Sequence, residues 1–428
     1  VKFKLETEFQ ETEIGEMPRE WKIVKLSHIA QIVMGQSPPS STYNKEGLGL
    51  PFLQGKMEFG RIYPSPIMYT TQPLKIAEPN DILISVRAPV GDVNIAQYKV
   101  CIGRGLAAIR FNPKTANYMF YFYYFQHIKK QLEILGKGST FKAITKRDLE
   151  EFLIPLPPMD EQKKISEILL TVDNALENVD NAIARLERLK KALMRELLTG
   201  GIRVREENGK LVFYRGTEFQ ETEIGKIPKD WKVVKIRNIY TFIRRGKTPK
   251  YGDSEVIVIK TAHNYPDGIK FEEASKASRE FLKNLPKELY LKPDDILINS
   301  TGTGSVGRIG FFEGYHKPCT VDGHITILRV NQNVVNPKHV FYYLSSPYGQ
   351  KALLSRVSGS THQVELYIDD ILDVALPLPC LEEQRRIAEL LSIVDRTIRL
   401  YHEERAKLYR LKQGLMDLLL TGRVRVMG

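Results

Sequence analysis

Pro155-Leu156-Pro157-Pro158-Met159-Asp160-Glu161-Gln162 opens a run of apolar residues that continues to Leu198-Thr199-Gly200. It has a second copy. Pro377-Leu378-Pro379-Cys380-Leu381-Glu382-Glu383-Gln384 opens a run that ends at Leu420-Thr421-Gly422, with both ends displaced by 222 residues (155 to 377, 200 to 422). In the first run Ile165, Leu169, Val172, Leu176, Val179, Ile183, Leu186, Leu193 and Leu197 alternate steps of four and three, and Lys190 fills one slot. The second reads Ile387, Leu391, Val394, Ile398, Tyr401, Arg405, Leu408, Leu415 and Leu419, with Lys412 at the matching slot. About five uninterrupted heptads predict a coiled coil. The prolines stop whatever precedes each helix, the acidic first turn suits the positive end of the helix dipole, and Thr-Gly supplies the stop. A narrow apolar stripe prefers another narrow stripe, and the chain supplies one in register.

The duplication extends beyond the helices. Thr7-Glu8-Phe9-Gln10-Glu11-Thr12-Glu13-Ile14-Gly15 recurs as Thr217-Glu218-Phe219-Gln220-Glu221-Thr222-Glu223-Ile224-Gly225. Pro18 and Trp21 recur as Pro228 and Trp231, and Asp81-Ile82-Leu83-Ile84 as Asp295-Ile296-Leu297-Ile298. The ends of the two units are alike and the middles are not, which suggests a common frame holding two different readers.

Each middle reads as mixed α/β. Short β-rich runs stand at 82–86, 93–95 and 106–111, then at 256–260, 296–299 and 325–330, separated by Gly/Pro turns. Helix candidates follow at 118–135 and 337–354, and the aromatic run in the first is expected to be core. The expected fold is two α/β (mixed α+β) domains separated by a long antiparallel two-helix coiled coil, an internal pseudo-two-fold repeat. The expected boundaries are 1–158 and 216–379 for the two domains, 159–200 and 380–428 for the helical regions, and 201–215 for a polar linker.

Composition narrows the function. The chain has 428 residues, enough for several cores, and no run of about 18 apolar residues that would span a membrane. Cys101, Cys319 and Cys380 stand far apart, which argues against a zinc site or disulfide framework and for a cytoplasmic setting. A net charge of +12 attracts polyanions, nucleic acid first among them. Catalytic signatures are wanting. Gly302-Thr303-Gly304-Ser305-Val306-Gly307 lacks the Gly-Lys-Ser/Thr ending of a P-loop, and neither Ser85 nor Ser300 sits in a Gly-x-Ser-x-Gly elbow. His263, His324 and His362 form no ligand spacing, so no metal is expected.

What remains is a binding surface. Candidate DNA-contacting residues in predicted loops are Gln36, Lys56, Arg61, Arg87, Arg104, Lys137, Ser139, Thr140 and Lys142 in the first half. In the second they are Arg244, Arg245, Lys247, Lys260, Asn264, Arg308, Lys317, Ser360, Thr361 and Gln363. Arg and Lys neutralise phosphates and pair with guanine edges, and Asn and Gln pair with adenine. The Gly-Ser-Thr loops at 138–140 and 359–361 could bring backbone amides to a phosphate or serve as simple turns.

With these residues in view, the chain resembles the specificity subunit of a type I restriction–modification system. The carriers are the paired openings Ile14-Gly15, Pro18, Trp21 and Ile224-Gly225, Pro228, Trp231, together with the Pro-Leu-Pro…Glu-Gln helix starts and the Leu-Thr-Gly ends. The resemblance implies two target-recognition domains, each followed by a helical region, with the two long helices antiparallel between them. It implies no catalytic centre in this chain and no bound cofactor. Two modification subunits would dock on it and methylate adenine in double-stranded DNA with S-adenosylmethionine. Restriction subunits would add cleavage driven by ATP and Mg. A related system that cuts beside its site, a lone methyltransferase or nuclease, and a coiled-coil scaffold without sequence-specific DNA binding stay open at this point.

Overall fold

The computed structural model describes residues 2–135, 143–360 and 363–427. The chain divides into two compact units, Val1–Asp180 with Glu404–Gly428, and Asn181–Glu403. Each long helix therefore contributes to both. The first runs Met159–Thr199 and the second Leu381–Leu419. At ~1.5 Å per residue each is roughly 60 Å long.

The core of the first unit follows from its alternating apolar strands. A four-stranded sheet takes the order Val93–Ile95, Ile82–Ser85, Leu106–Phe111, Ala30–Met34, with antiparallel neighbours throughout. A five-stranded sheet of short strands stands beside it. The aromatic run forms a helix, Tyr118–His127, capped by the Asn117 side chain, and every residue from Met119 to Phe125 is buried. Phe111 stacks on Tyr121 with ring centres 4.5 Å apart. The run is core. The second unit repeats the plan, with a four-stranded sheet ordered Tyr240–Arg245, Ile325–Val330, Asp295–Asn299, Ile309–Phe312. The helix candidate at 337–354 is two helices, Pro337–Ser345 and Pro347–Leu354, because Pro347 has no amide hydrogen to continue the first.

The long helices pair antiparallel. In the first unit Asp173 meets Lys412 and Asp180 meets Arg405, so seven residues up one helix is seven residues down the other. In the second unit Lys190 meets Asp395. Along the seam Ile165, Leu169, Val172, Leu176, Val179, Ile183, Ile387, Leu391 and Val394 are buried, whereas Leu186, Leu193, Ile398, Tyr401, Leu408 and Leu415 are half-buried. Lys190 and Lys412, read from sequence as fillers of a seam slot, each carry an ion pair. Arg405, counted as a seam residue, is exposed and pairs with Asp180.

The repeated motifs meet in one joint per unit. In the first unit Glu161, at the start of the long helix, accepts from Trp21 Nε1 at 3.1 Å and from Arg425 Nε and Nη2 at 2.7 and 2.8 Å. Arg425 also reaches Glu6 and Glu20. In the second unit Glu383 accepts from Trp231 Nε1 at 3.3 Å and from Arg203 at 2.7 and 2.8 Å, and Arg203 also reaches Asp230. Gln162 and Gln384 each accept the backbone amide of a helix-capping asparagine, Asn117 and Asn336, at 2.8 Å. Gly422 lies against Pro18 and Trp21, and Gly200 against Pro228 and Trp231. Both have positive φ, and a Cβ on either would stand 2.3 Å from a proline carbon. Each helix therefore ends against the opening segment of the other repeat.

The segment expected to be a linker is an antiparallel hairpin, Ile202–Glu207 with Lys210–Arg215, turned at Asn208-Gly209, both with positive φ. In the first unit the corresponding ladder joins the two ends of the chain, Lys2–Leu5 with Val424–Met427.

Hydrogen bonds and ion pairing from Glu161 hold the Arg425 guanidinium above its usual range against the opposing effect of burial. Removing it leaves Glu161 buried with its charge unpaired, which costs about 3–5 kcal/mol. The two tryptophans report the joints separately. In a Trp231→Phe background, Arg425→Ala should lower the stability read by Trp21 fluorescence in denaturant by that amount. His339 in the second unit is fully buried, and burial pushes its imidazole down to about 4. The unfolded chain binds that proton near pH 6.5 and the folded one does not, so stability is full above pH 6.5 and is lost as pH falls towards 4. The loss amounts to about 3 kcal/mol. His339→Phe should flatten that slope in unfolding curves recorded at pH 7 and pH 5.

Candidate DNA-recognition surfaces

Each four-stranded sheet ends in three loops that its own ladder brings together. In the first unit Gly35 N–H donates to Leu106 O at 2.9 Å, Gln36 N–H to Ile102 O at 3.0 Å, and Val86 N–H to Gly105 O at 2.9 Å. The backbones touch here, because a Cβ on Gly35 would lie 2.1 Å from Gly103 O. Gln36, Arg87 and Arg104 stand exposed at this end, with no side-chain ion pair among the described residues. That set of one amide and two guanidiniums can meet phosphate oxygens or base edges.

Lys56 and Arg61 do not join them. Lys56 and Lys129 both pair with Asp92. Burial works against the ionised Asp92, but the two ammonium groups outweigh it and hold its carboxyl below the usual range. Arg61 pairs with Asp180 on the long helix and lies 3.9 Å from Asp173. Lys137, Ser139, Thr140 and Lys142 lie outside the described residues, as do Thr361 and the side chains of Ser360 and Gln363.

The second unit repeats the loop geometry with other side chains. Gly246 N–H donates to Ile325 O at 2.9 Å and Ser300 N–H to His324 O at 2.8 Å. A Cβ on Gly246 would lie 2.2 Å from Asp322 O. Lys247 is exposed, its ammonium donating to Asn284 O at 3.0 Å, and Arg244 is exposed nearby in sequence. His324 and Thr301 hydrogen-bond at 2.6 Å. Burial raises the Asp322 carboxyl, while the His324 amide donates to it at 2.9 Å. The Arg308 guanidinium lies over the Tyr265 ring at 4.4 Å and donates to Thr261 O and Gly304 O. Lys260 lies over Tyr251 at 4.3 Å.

Two residues here differ from their expected role. Asn264 is fully buried, and its amide donates to Leu297 O and Asn299 Oδ1 at 3.1 and 2.9 Å, so it faces no solvent or base. Arg245 pairs with Glu365 and donates to Leu366 O. Lys317 is half-buried, and the bond its backbone carbonyl accepts from the Cys319 thiol leaves the part played by its ammonium open. Tyr251, Tyr265 and the Thr301–His324 pair escaped the sequence reading, since nothing local places Tyr265 under a guanidinium at position 308. Among the described residues no group of three or more His, Cys, Asp or Glu is placed to hold a metal ion, and no helix is long and apolar enough to cross a membrane.

The family model described as the type I restriction modification DNA specificity domain matches twice, over residues 18–188 and 228–410. The chain belongs to that family. It is a type I specificity subunit, carrying two copies of the specificity domain on one polypeptide. It is 26% identical over 431 residues to the MjaVIII specificity subunit of Methanocaldococcus jannaschii, covering 100% of this chain and 98% of that one. A chain of the same archaeon, provisionally named the MjaX specificity subunit, is 55% identical over 199 residues, 46% of this chain and 47% of its own length. The crystal structure of the S subunit from M. genitalium shares the fold, with a TM-score of 0.63 over 93% of this chain and 96% of that one at 19% identity. Specificity subunits are non-catalytic and recognise DNA.

In this subunit Arg104→Ala should weaken duplex binding by about 1–2 kcal/mol and reduce the salt slope of log affinity by about one, without shifting the unfolding midpoint. Lys56→Ala, which removes a partner of Asp92, should shift the midpoint and leave the salt slope unchanged. Filter binding across a salt series, paired with denaturant unfolding, separates the two.

Proposed function

We propose that each unit reads one half of a bipartite, asymmetric site in double-stranded DNA, and that the paired long helices set the unread gap between the halves. The observation that carries this is the joint described above. The same Trp–Glu–Arg frame is built twice, and the loops it supports present Gln36, Arg87 and Arg104 in one unit and Lys247, His324 and Arg308 in the other. Like frames with unlike readers suit a site whose halves differ in sequence. Half-sites about 34–36 Å apart, one helical turn, would face one side of the duplex.

The chain contributes recognition and placement, not bond making. Two modification subunits dock on it and methylate adenine with S-adenosylmethionine, and restriction subunits add ATP- and Mg-dependent cleavage. The extruded adenine is held in the modification subunit, because a base must leave the stack to react. The complex acts on cytoplasmic DNA.

Co-expression with the modification subunit, followed by mapping of methylated adenines across the host genome, tests the reading. It should return one motif with two specified halves and a constant gap. A continuous motif, or methylation without sequence preference, refutes it. The ruler has its own test. Deleting Leu176–Ala182 together with Ile398–Glu404 removes seven residues from each helix and keeps Asp173–Lys412 and Lys190–Asp395 matched. The helices shorten by about 10 Å, or roughly three base pairs at 3.4 Å each. The motif's gap should move or methylation should stop, and an unchanged gap refutes the ruler.

A further inference from the structure

Apart from the glutamate of its joint, each unit buries an aspartate midway along a long helix where three elements meet. In the first, Asp173 is 1% exposed, and Lys412 Nζ donates to both its oxygens at 2.9 and 2.8 Å. The Tyr123 hydroxyl donates to Asp173 Oδ2 at 2.9 Å. Tyr123 comes from the aromatic helix of the recognition globule, Asp173 from the first long helix and Lys412 from the second. In the second unit Tyr342 donates to Asp395 Oδ2 at 2.9 Å, and Lys190 Nζ lies 2.5 Å from Asp395. The aspartates and the lysines are each 222 residues apart (173 to 395, 190 to 412). The helices exchange roles between the two clusters, one giving the acid and the other the base.

Such clusters are poor sources of net stability. Removing Lys and Asp from water costs several kcal/mol per ion, and apolar residues of similar size are often as stable or more so. What a buried pair supplies is discrimination among arrangements that an apolar seam accepts alike. Sliding the helices by one heptad would set Asp395 opposite Ile183 or Leu197, and Lys190 opposite Ala388 or His402. Each alternative leaves a buried charge without its partner. The tyrosine extends the constraint from the helix pair to the globule, since its hydroxyl reaches the carboxylate only when the globule sits in one place on both helices.

We propose that Tyr123, Asp173 and Lys412, with Tyr342, Asp395 and Lys190, are positioning residues that hold each recognition globule at one register on the helix pair and so set how strictly the half-site gap is enforced. This rests on the bipartite reading. The clusters act on tolerance to the gap, a property distinct from affinity for either half-site.

The test uses the full chain with its modification subunit on synthetic duplexes bearing the mapped motif, with the gap native or changed by one base pair. One base pair displaces a half-site by about 3.4 Å along the axis and by about a tenth of a turn. The unaltered protein should methylate the changed gaps more slowly by about tenfold or more. The variant combining Asp173→Leu, Lys412→Met, Asp395→Leu and Lys190→Met should keep activity on the native gap and methylate the changed gaps to within about threefold of it. Tyr123→Phe with Tyr342→Phe leaves both ion pairs and removes only the tie to the globules. It should loosen discrimination by a smaller factor, and it decides the question if the fourfold variant does not fold. Undiminished discrimination in the fourfold variant, or in the tyrosine pair where the fourfold variant fails to fold, overturns the proposal. An unaltered protein that enforces no fixed gap overturns the bipartite reading instead.

Discussion

One carboxylate at the start of each long helix organises the unit around it. Glu161 and Glu383 are 5% and 4% exposed, and a carboxylate so placed is tolerable only when fully paired. Both accept an indole N–H and a bidentate guanidinium. The indole belongs to the opening segment of the unit. The guanidinium belongs to the strand that follows the opposite helix. Three pieces of chain, distant in sequence, must therefore arrive together before the charge is satisfied, and the glycine that ends each helix must be small enough to let the opening proline and tryptophan close over it.

The joint explains the contrast between constant ends and variable middles. Glu-Gln, Pro…Trp and Leu-Thr-Gly are surfaces of one assembly, so a change in any of them leaves a buried charge or a steric overlap. The candidate recognition loops hang from the ends of sheet strands whose ladders depend on backbone hydrogen bonds. Side chains there can differ, as Gln36 differs from Lys247, while the glycine at 35 and its counterpart at 246 keep the backbones in contact. The frame and the candidate loops are thus separable physically: one is fixed by buried charge, the other largely by main-chain hydrogen bonds. The polar clusters within the helix pair belong to the frame, since they join elements that the apolar seam would pair less selectively.

Several elements were legible without coordinates. The strands at 93–95, 106–111 and 325–330 have the bounds that their short β-rich runs between turn residues suggested, and the aromatic run proved to be core because a continuous apolar helix has no face to leave in water. The hairpin at 202–215 carries its own signals, the Asn208-Gly209 turn, the alternation of Ile202-Arg203-Val204-Arg205 and the apolar Leu211-Val212-Phe213-Tyr214, but the charged residues among them give the segment the composition of a polar linker. The surface residues were the least legible. Arg61, Lys56 and Arg245 look like Arg87 and Arg104 in sequence, and only the position of a carboxylate from a distant segment separates an engaged cation from an open one.

The sequence by itself determined the repeat, the two long helices, the α/β character of the middles and the family, because these depend on periodicity and on motifs that are local or recur at a fixed offset. The tertiary structure decided which motif meets which. Helix periodicity says that a face is apolar, not whose face covers it, and a lysine in a seam does not reveal the aspartate opposite. That each helix ends against the other repeat's opening, and that Lys190 and Lys412 answer Asp395 and Asp173, follows from long-range charge pairing that no window of sequence contains.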